Sequence, residues 1–470
     1  MKLFVLCLVT TLCAGCAVYK PRPLEPTRTA AAFESRTLDN PELKKFLEKN
    51  LHRKVMPWPP ESWDLHLLTL TAFYYHPDLD TARAVWGVAE AGKITAGQRP
   101  NPSFRFAPEH HSDTAGGTLS PWTLGFNLDI PIETAGKRGY RIARAEKLSD
   151  AARLSIAGVA WRVRSRLESR FFDLYAATEI EPLLQREVTV RSEIVTLLEK
   201  RLSAGGASLP DVTRARLALE RTRLLLMGAR KHLAEAHVAL ASALGVPREA
   251  ADGIKISFLI EASPSLPSAQ DLRRQALTNR SDILALLSDY EAAEAALRLE
   301  IAKQYPDVRL GPGYEWDQGD NRWSLGFSVT LPLFNHNQGP IAEAEARRKE
   351  TAARFTALQA RVVGEVDQAL AGYRALLDTL ATSDAVYSVQ QTRQKAAEAL
   401  FKAGETDRLA LESASLELES AAIDRLETLS RVLQARRALE DALQRPAEAV
   451  AGPSSVNVEA NPRPAKERGK

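Results

Sequence analysis

The sequence predicts a mainly α-helical protein with a small membrane β-sheet, built as two structural repeats. The first observation is a duplicated segment: Trp122-Thr-Leu-Gly-Phe-Asn-Leu-Asp-Ile-Pro-Ile132 returns as Trp323-Ser-Leu-Gly-Phe-Ser-Val-Thr-Leu-Pro-Leu333. In both copies large apolar residues alternate with small or polar ones, which is typical of a strand with one apolar and one polar face. The second observation is a very long helical pattern after each copy. The chain is therefore interpreted as two versions of one unit.

Composition excludes several classes of protein. The chain has 470 residues and a formal net charge of +3, which is too small to indicate a nucleic-acid partner. Hydrophobic residues make up 45% of it, and beyond the first residues no apolar run is long enough for a membrane helix. Any passage through a membrane would therefore use strands, and a tilted strand of about nine residues is long enough to cross a bilayer.

The N-terminus has the pattern of a secretory signal, predicted over residues 1–15. Lys2 supplies a positive charge and residues 3–12 an apolar stretch. Cys13-Ala-Gly-Cys16 then resembles a bacterial lipobox, in which a cysteine is lipidated and becomes the first residue, although Cys13 stands where leucine is usual. We expect a lipid on Cys16. The alternative, a redox or metal motif formed by these two cysteines, lacks a second pair of ligands.

The first half reads as helix, strand, strand, long helix, break, long helix. After an extended, proline-rich tether over 16–62, the first repeat spans 63–262, with strands at about 102–108 and 121–131. The long helix after the second strand runs for on the order of 100 Å at about 1.5 Å per residue, which no ordinary globular domain needs. A glycine-rich break over 202–211 ends it and predicts the tip of a helical hairpin.

The second half repeats this order. It spans 263–446, with strands at about 307–316 and 322–332 and a hairpin tip at about 401–409. A disordered tail is expected over 447–470, because that segment is rich in proline and charge.

A seven-residue rhythm follows the first break. Large apolar residues recur every seven positions, with small residues between them. This pattern suits closely packed antiparallel helices and predicts long coiled-coil hairpins. The large residues are Val212, Leu219, Leu226, Leu233 and Leu240.

Four strands per chain cannot close a membrane barrel, and open sheet edges do not survive in lipid. Three chains would supply twelve strands, which lies within the size range of closed membrane barrels. We therefore expect a homotrimer with a twelve-stranded barrel.

The order of elements resembles the TolC family of outer membrane factors, from about Trp63 to Leu443. The resemblance rests on the paired strand ends and the paired helix breaks. These are Leu128-Asp-Ile-Pro-Ile132, Thr330-Leu-Pro-Leu-Phe334, Arg201-Leu-Ser-Ala-Gly-Gly206 and Lys402-Ala-Gly-Glu405. It implies a trimeric outer membrane barrel on an α-helical periplasmic tunnel. Such a trimer is the passive duct of a tripartite efflux or secretion system, with a periplasmic adaptor and an inner-membrane pump of the RND type.

The segment Pro131-Ile-Glu-Thr-Ala-Gly-Lys-Arg138 is similar to the branch of this family associated with cobalt-zinc-cadmium export. This similarity implies heavy-metal cations as the exported cargo.

The resemblance places the periplasmic entrance and the adaptor contact at the two hairpin tips. Glycines there permit a tight reversal, and charged residues are candidates to pair and hold the entrance shut. The alternative is ordinary helix capping, since acids are favoured at helix starts. The candidate residues are Gly205, Gly206, Asp211, Arg214, Gly404, Asp407 and Arg408.

Asp129 lies on the polar strand face and is expected to line the lumen and favour cations, or else to be a solvated wall residue. His110, His111 and His336 are predicted to be solvated loop residues rather than metal ligands. A basic run could contact anionic outer membrane lipids or form a charged helix face. Its members are Lys137, Arg138, Arg141, Arg144 and Lys147.

No catalytic site, metal site or cofactor is expected. The sequence has neither a phosphate-binding glycine loop nor a nucleophile elbow, and its His, Cys and acidic residues do not cluster as in a metal-binding enzyme. The remaining alternative is a periplasmic coiled-coil structural or adaptor protein without a pore. Four strands with one apolar face favour a channel, because an adaptor has no need of them.

Overall fold

The computed structural model describes residues 18–112, 119–258 and 267–446. The predicted signal segment, Cys16 and the predicted tail lie outside these ranges.

Both halves contain two strands followed by two long helices. The elements of the first half are α1 (Pro26–Glu34), α2 (Pro41–Leu51), α3 (Leu65–Tyr75), α4 (Pro77–Gly97), β1 (Ser103–His110), β2 (Trp122–Ile132), α5 (Lys137–Ser203), α6 (Leu209–Leu244) and α7 (Arg248–Ala251). Those of the second half are α8 (Ala269–Asn279), α9 (Ser281–Ala302), β3 (Val308–Asp317), β4 (Asp320–Val329), α10 (Gln338–Lys402) and α11 (Arg408–Leu443). The predicted fold class is confirmed.

The helical segment before each strand pair is divided in two, which sequence reasoning missed. In the first repeat the break lies at His76, which is extended, with a φ of −70° and a ψ of 123°. Pro77 is the cause, since the proline ring disfavours helical geometry in the residue before it. The His76 side chain then accepts a hydrogen bond from the Asp78 N–H at 3.2 Å and caps α4.

The helices α5 and α10 are the longest elements of the described structure. They have 67 and 65 residues, so each is about 100 Å long. Near the sheet α5 contacts α4 and α9, and towards the hairpin tips it contacts α6 and α11. The order across the molecule is α4–α5–α9–α10 near the sheet and α6–α5–α11–α10 below it. Within the described ranges, no helix combines the length and the apolar character that a membrane crossing requires.

The four strands form one antiparallel sheet in the order β1-β2-β3-β4. Pairing of β2 with β3 joins the two repeats, and β1 and β4 are the outer strands. The register places four aromatic rings in one row across the sheet, which fixes one face as apolar. This row consists of Phe106, Phe126, Tyr314 and Trp323.

Strand β4 ends at Val329, three residues before its predicted end at 332. Val329 is opposite Val308, the first residue of β3, so the segment after it has no strand of the same chain to pair with. The other predicted strands differ from β1, β2 and β3 by one or two residues at their ends.

The segment predicted as an extended tether is partly built into the core, which corrects that interpretation. Leu43 and Leu47 on α2 are fully buried among side chains of α3, α5 and α6. Arg36 fastens the segment, because its Nη1 donates to the carbonyl oxygens of Tyr75 at 2.9 Å and Gly245 at 2.6 Å. Residues from about 36 onwards therefore belong to the folded first repeat.

We predict that Leu47→Ala destabilises the protein by about 2–5 kcal/mol, because it leaves a cavity in the first-repeat core. The measurement is the midpoint of thermal unfolding followed by circular dichroism. Leu24→Ala is the matched control, since Leu24 is 88% exposed, and its midpoint should equal that of the wild type. Equal midpoints for both variants would show that the N-terminal segment is a tether after all.

Candidate functional site

Both hairpin tips reverse the chain by the same backbone geometry. Gly205 and Gly404 each have a φ of 76°, in the left-handed region that favours glycine. The Gly206 N–H donates to the Arg201 carbonyl at 2.7 Å, and the Glu405 N–H donates to the Leu400 carbonyl at 2.9 Å. These bonds close the last turns of α5 and α10 as in a Schellman motif.

At the first tip, Asp211 and Arg214 interact only within the start of α6 in the described contacts. Asp211 and Ser208 form a reciprocal capping box at the start of α6. Hydrogen bonds from Ser208 hold the pKa of Asp211 below its ordinary value. Arg214 forms an ion pair with Asp211 one turn away. The capping alternative therefore describes these two residues.

At the second tip, Asp407 both caps α11 and reaches the other hairpin. Its carboxylate accepts the Ala410 N–H at 2.9 Å and forms an ion pair with Arg201 on α5. The Ala410 N–H and the Arg201 guanidinium lower the pKa of Asp407. Arg408 lies 3.6 Å from Glu193 on α5 and 3.2 Å from Glu412 on its own helix. The pairs between hairpins are thus Arg201–Asp407 and Arg408–Glu193.

Sequence reasoning identified Asp407 and Arg408 but missed their partners. Arg201 and Asp407 are 206 positions apart, and sequence spacing does not show which residues of two tips meet. It also expected Asp211 and Arg214 in the same charge cluster, whereas the structure keeps them on the first tip. A third pair between the hairpins, Arg186–Glu419 at 3.1 Å, lies farther from the tips.

The polar face of the sheet carries small residues and compensated charges. Asp129 accepts a hydrogen bond from Arg309 at 2.8 Å, so its negative charge is paired within the sheet. A Cβ at Gly313 would lie 2.6 Å from the Ser324 Oγ, so a larger residue here would require the Ser324 side chain to move. The small residues of this face are Ala107, Gly125, Gly311, Gly313, Gly326 and Ser324.

The histidines near the sheet take part in ordinary contacts. His111 Nε2 lies 3.0 Å from the Thr123 Oγ1, and Thr123 donates to Asp317 at 2.7 Å. The His110 ring packs against Trp122 at 4.8 Å between centroids. No group of three or more His, Cys, Asp or Glu side chains suited to a metal ion occurs in the part of the chain that the structure describes.

Most side chains of the basic run at the start of α5 bond to other parts of the same chain. Lys137 donates to the Tyr305 carbonyl at 2.6 Å and to Asp307 at 2.7 Å. Further contacts join Arg138 to the Gly97 carbonyl, Arg141 to Glu133 and Lys147 to Glu291. These bonds fasten α5 to its neighbours and favour the charged helix face over a binding site for lipid headgroups.

Large apolar side chains are exposed on the elements that form the two edges of the molecule. One edge consists of β1, α4 and α6, and the other of β4 and α10. On the helices these residues are Val85, Val88, Ile94, Leu217, Leu224, Leu225, Met227, Val238, Val386, Val389 and Leu400.

Comparison with known proteins gives a consistent result. The family model described as outer membrane efflux protein matches residues 75–246 and 272–445, which is most of both repeats. The chain is 28% identical over 362 residues to the cobalt-zinc-cadmium resistance protein CzcC of Cupriavidus metallidurans, covering 76% of this chain and 84% of CzcC. It is 24% identical over 290 residues to the nickel-cobalt-cadmium resistance protein NccC of Alcaligenes xylosoxydans xylosoxydans, covering 60% and 62%.

The fold matches that of a solved outer membrane protein, VceC of Vibrio cholerae. The TM-score is 0.66 at 22% identity, over 82% of this chain and 96% of that one. At this identity the match shows the shared fold.

We predict that Arg201→Ala lets the two tips separate, because it removes the cation opposite Asp407. Spin labels on cysteines placed at Ser203 and Glu405 should show a broader, longer distance distribution by pulsed electron resonance. Arg214→Ala is the matched control, since its ion pair lies within one tip. Identical distributions for the wild type and Arg201→Ala would show that this pair does not hold the tips together.

Proposed function

This chain belongs to the outer membrane efflux protein family, and we propose that three copies of it form an exit channel for heavy-metal cations. The family and its fold are those of efflux channels, not of enzymes. The observation that carries the proposal is the open sheet, which begins with β1 and ends with β4. A membrane sheet must close, and one chain supplies too few strands to do so.

Trimerisation pairs both open edges of the sheet, β1 and β4, with strands of the neighbouring copies. Three sheets give twelve strands when β4 of one copy pairs with β1 of the next, which is a plausible barrel size. The same rotation places α10 of one copy beside α4 and α6 of the next, and towards the tips both α10 and α6 expose apolar side chains. A head-to-tail contact of this kind generates a closed ring. The helices then surround a periplasmic tunnel below the barrel.

The two faces of the sheet support this orientation. Aromatic rings of neighbouring strands lie 5.0, 6.2 and 4.7 Å apart along the row from Phe106 to Trp323, as expected for a belt facing outer membrane lipid. The opposite face has glycines and the Asp129–Arg309 pair. Small side chains on the inner wall leave a wide lumen, with Asp129 as part of a neutral pair in that wall.

The hairpin tips are proposed as the periplasmic entrance and the surface that a periplasmic adaptor contacts. The pairs Arg201–Asp407 and Arg408–Glu193 are exposed, and exposed ion pairs are worth about 0–1 kcal/mol each. An adaptor can therefore exchange them at small cost. Gly205, Gly206 and Gly404 keep the turns free of side chains, and Asp211 with Arg214 presents a further charged surface at the first tip.

The partners that fit this arrangement are an adaptor and an inner-membrane pump of the RND type. In this scheme the pump selects the cargo and supplies energy, and the trimer conducts passively. Heavy-metal cations are proposed as cargo because the relatives CzcC and NccC are metal resistance proteins by name.

Lipid attachment at Cys16 is proposed as a second membrane anchor. Arg36 is fixed beside Tyr75, one length of α4 below the sheet, and α4 has 21 residues, or about 30 Å. The chain from residue 16 to 36 includes the nine residues of α1, and its other residues can span at most about 3.3 Å each. Its maximal span of about 50 Å is enough to reach the membrane.

We expect that deletion of the gene lowers the tolerated concentrations of Co²⁺, Zn²⁺ and Cd²⁺ severalfold, and that the wild-type chain restores them. Leu224→Arg, on the exposed α6 edge, should fail to restore resistance and should run as a monomer in unheated gels of outer membranes. Met56→Arg is the control, since Met56 is 77% exposed against 68% for Leu224 but lies on the N-terminal segment. Its product should form heat-modifiable trimers.

The two parts of the proposal can fail separately. Outer membrane trimers without a metal phenotype would refute the cargo, whereas recovery as a soluble periplasmic monomer would refute the channel.

Labelling of cells with radioactive palmitate should mark the wild-type protein and not the Cys16→Ser variant. Equal labelling of both proteins, or no labelling of either, would refute lipid attachment at Cys16.

A further inference from the structure

A group of buried charges lies where the two repeats meet below the sheet. Glu168 on α5 and Glu440 on α11 have side chains that are 4% and 1% exposed. They lie with Arg164 on α5 and Arg436 on α11, and we name these four residues the acid seam. Because the hairpins α5–α6 and α10–α11 meet through α5 and α11, the acid seam lies on the joint between the repeats.

The two arginines of the acid seam compensate the negative charge of Glu440 better than that of Glu168. Arg164 lies 3.4 Å from Glu440 and 3.9 Å from Glu168, and Arg436 lies 3.3 Å from Glu440. Arg164 Nη1 is buried and has no hydrogen-bond acceptor among the described residues. The negative charge of Glu168 is therefore the least compensated of the group.

Neighbouring groups do not change this balance. Asp441 also faces Glu168, but Arg437 at 2.6 Å, Trp161 at 2.9 Å and Ser165 at 2.7 Å satisfy its carboxylate. The segments of α3 and α6 that pack on this part of α5 contribute core side chains such as Leu68, Leu240 and Leu244. His76 and Asp78 contact Arg166 instead, at 3.4 and 3.6 Å.

Burial and the negative charge of Glu440 raise the pKa of Glu168 to about 7, against the opposing effect of Arg164 and Arg436. The ordinary value is 4.5, so the packed state binds this proton more tightly than an unpacked state does. The resulting stabilisation is complete below about pH 4.5 and is lost as the pH rises through about 7. Above that range, two buried carboxylates repel each other across the joint.

Contacts between the hairpins become more exposed towards the tips. Both carboxylates of the acid seam are buried, whereas Arg186–Glu419 and the two tip pairs have at least one exposed partner. From Glu168 to Arg201 the helix extends for about 50 Å, so a tilt of roughly 5° at the acid seam moves the tip by about 4 Å. A small loosening of the joint is thus enough to separate weak tip pairs.

We propose that the acid seam is a pH-sensitive hinge: protonated Glu168 keeps α5 and α11 packed and the entrance closed, and its ionisation favours opening. The hinge rests on the proposed channel function and adds a regulation that acts within a single chain, without the adaptor.

The test is the open probability of purified full-length trimers in planar bilayers from about pH 5 to about pH 8. For the wild type it should rise with a midpoint near pH 7. Glu168→Gln should stay at the low wild-type value throughout, because glutamine is neutral at every pH. Glu419→Gln is the matched control, since it removes an acid of the same joint outside the acid seam, and it should keep the wild-type midpoint.

Glu440→Gln gives a second and independent readout. It removes the neighbouring charge that raises the pKa of Glu168, so the midpoint should move to lower pH. The hinge is refuted if Glu168→Gln keeps the wild-type pH dependence or if Glu440→Gln leaves the midpoint unchanged. Spin-label distances between the tips over the same pH range separate the two proposals. A pH-dependent distance without conductance refutes the channel, and conductance with a constant distance refutes the hinge.

Discussion

Pairing of β2 with β3 is the constraint on which the other parts of this molecule depend. It joins the two repeats in one sheet and leaves β1 and β4 as the outer strands. Backbone N–H and C=O groups need partners in lipid, so the outer strands require strands from other copies. The same geometry places α4 and α6 on one edge and α10 on the other, with exposed apolar side chains on both. One backbone requirement thus determines how the sheet, the helices and the assembly fit together.

The long helices α5 and α10 extend from the sheet to the hairpin tips. Near the sheet, α5 is held to its neighbours by contacts such as Lys137–Asp307, in which the lysine side chain is buried. Towards the tips, the two hairpins meet mainly through α5 and α11. The ion pairs that join the two hairpins at the tips are exposed to water.

Polar groups differ in their surroundings between the sheet, the joint of the repeats and the hairpin tips. On the polar face of the sheet, Asp129 and Arg309 form an ion pair. At the tips, Arg201–Asp407 is in contact with water, where screening keeps each pair weak. In the joint between the repeats, Glu168 is buried beside a second acid, where charge is costly. Burial raises the pKa of Glu168, whereas hydrogen bonds from the Ala410 N–H and Arg201 lower that of Asp407.

The sequence by itself determined the repeat, the four strands, the two hairpins and the family resemblance. These features follow from local periodicity and from breaks such as Gly205 and Gly404, which act within a few residues. Only the tertiary structure decided that Asp407 pairs with Arg201 rather than with Arg214, that Arg309 neutralises Asp129 and that Leu47 belongs to the core. Contacts between residues that are distant in sequence depend on how helices pack and strands align, and no local pattern records that alignment.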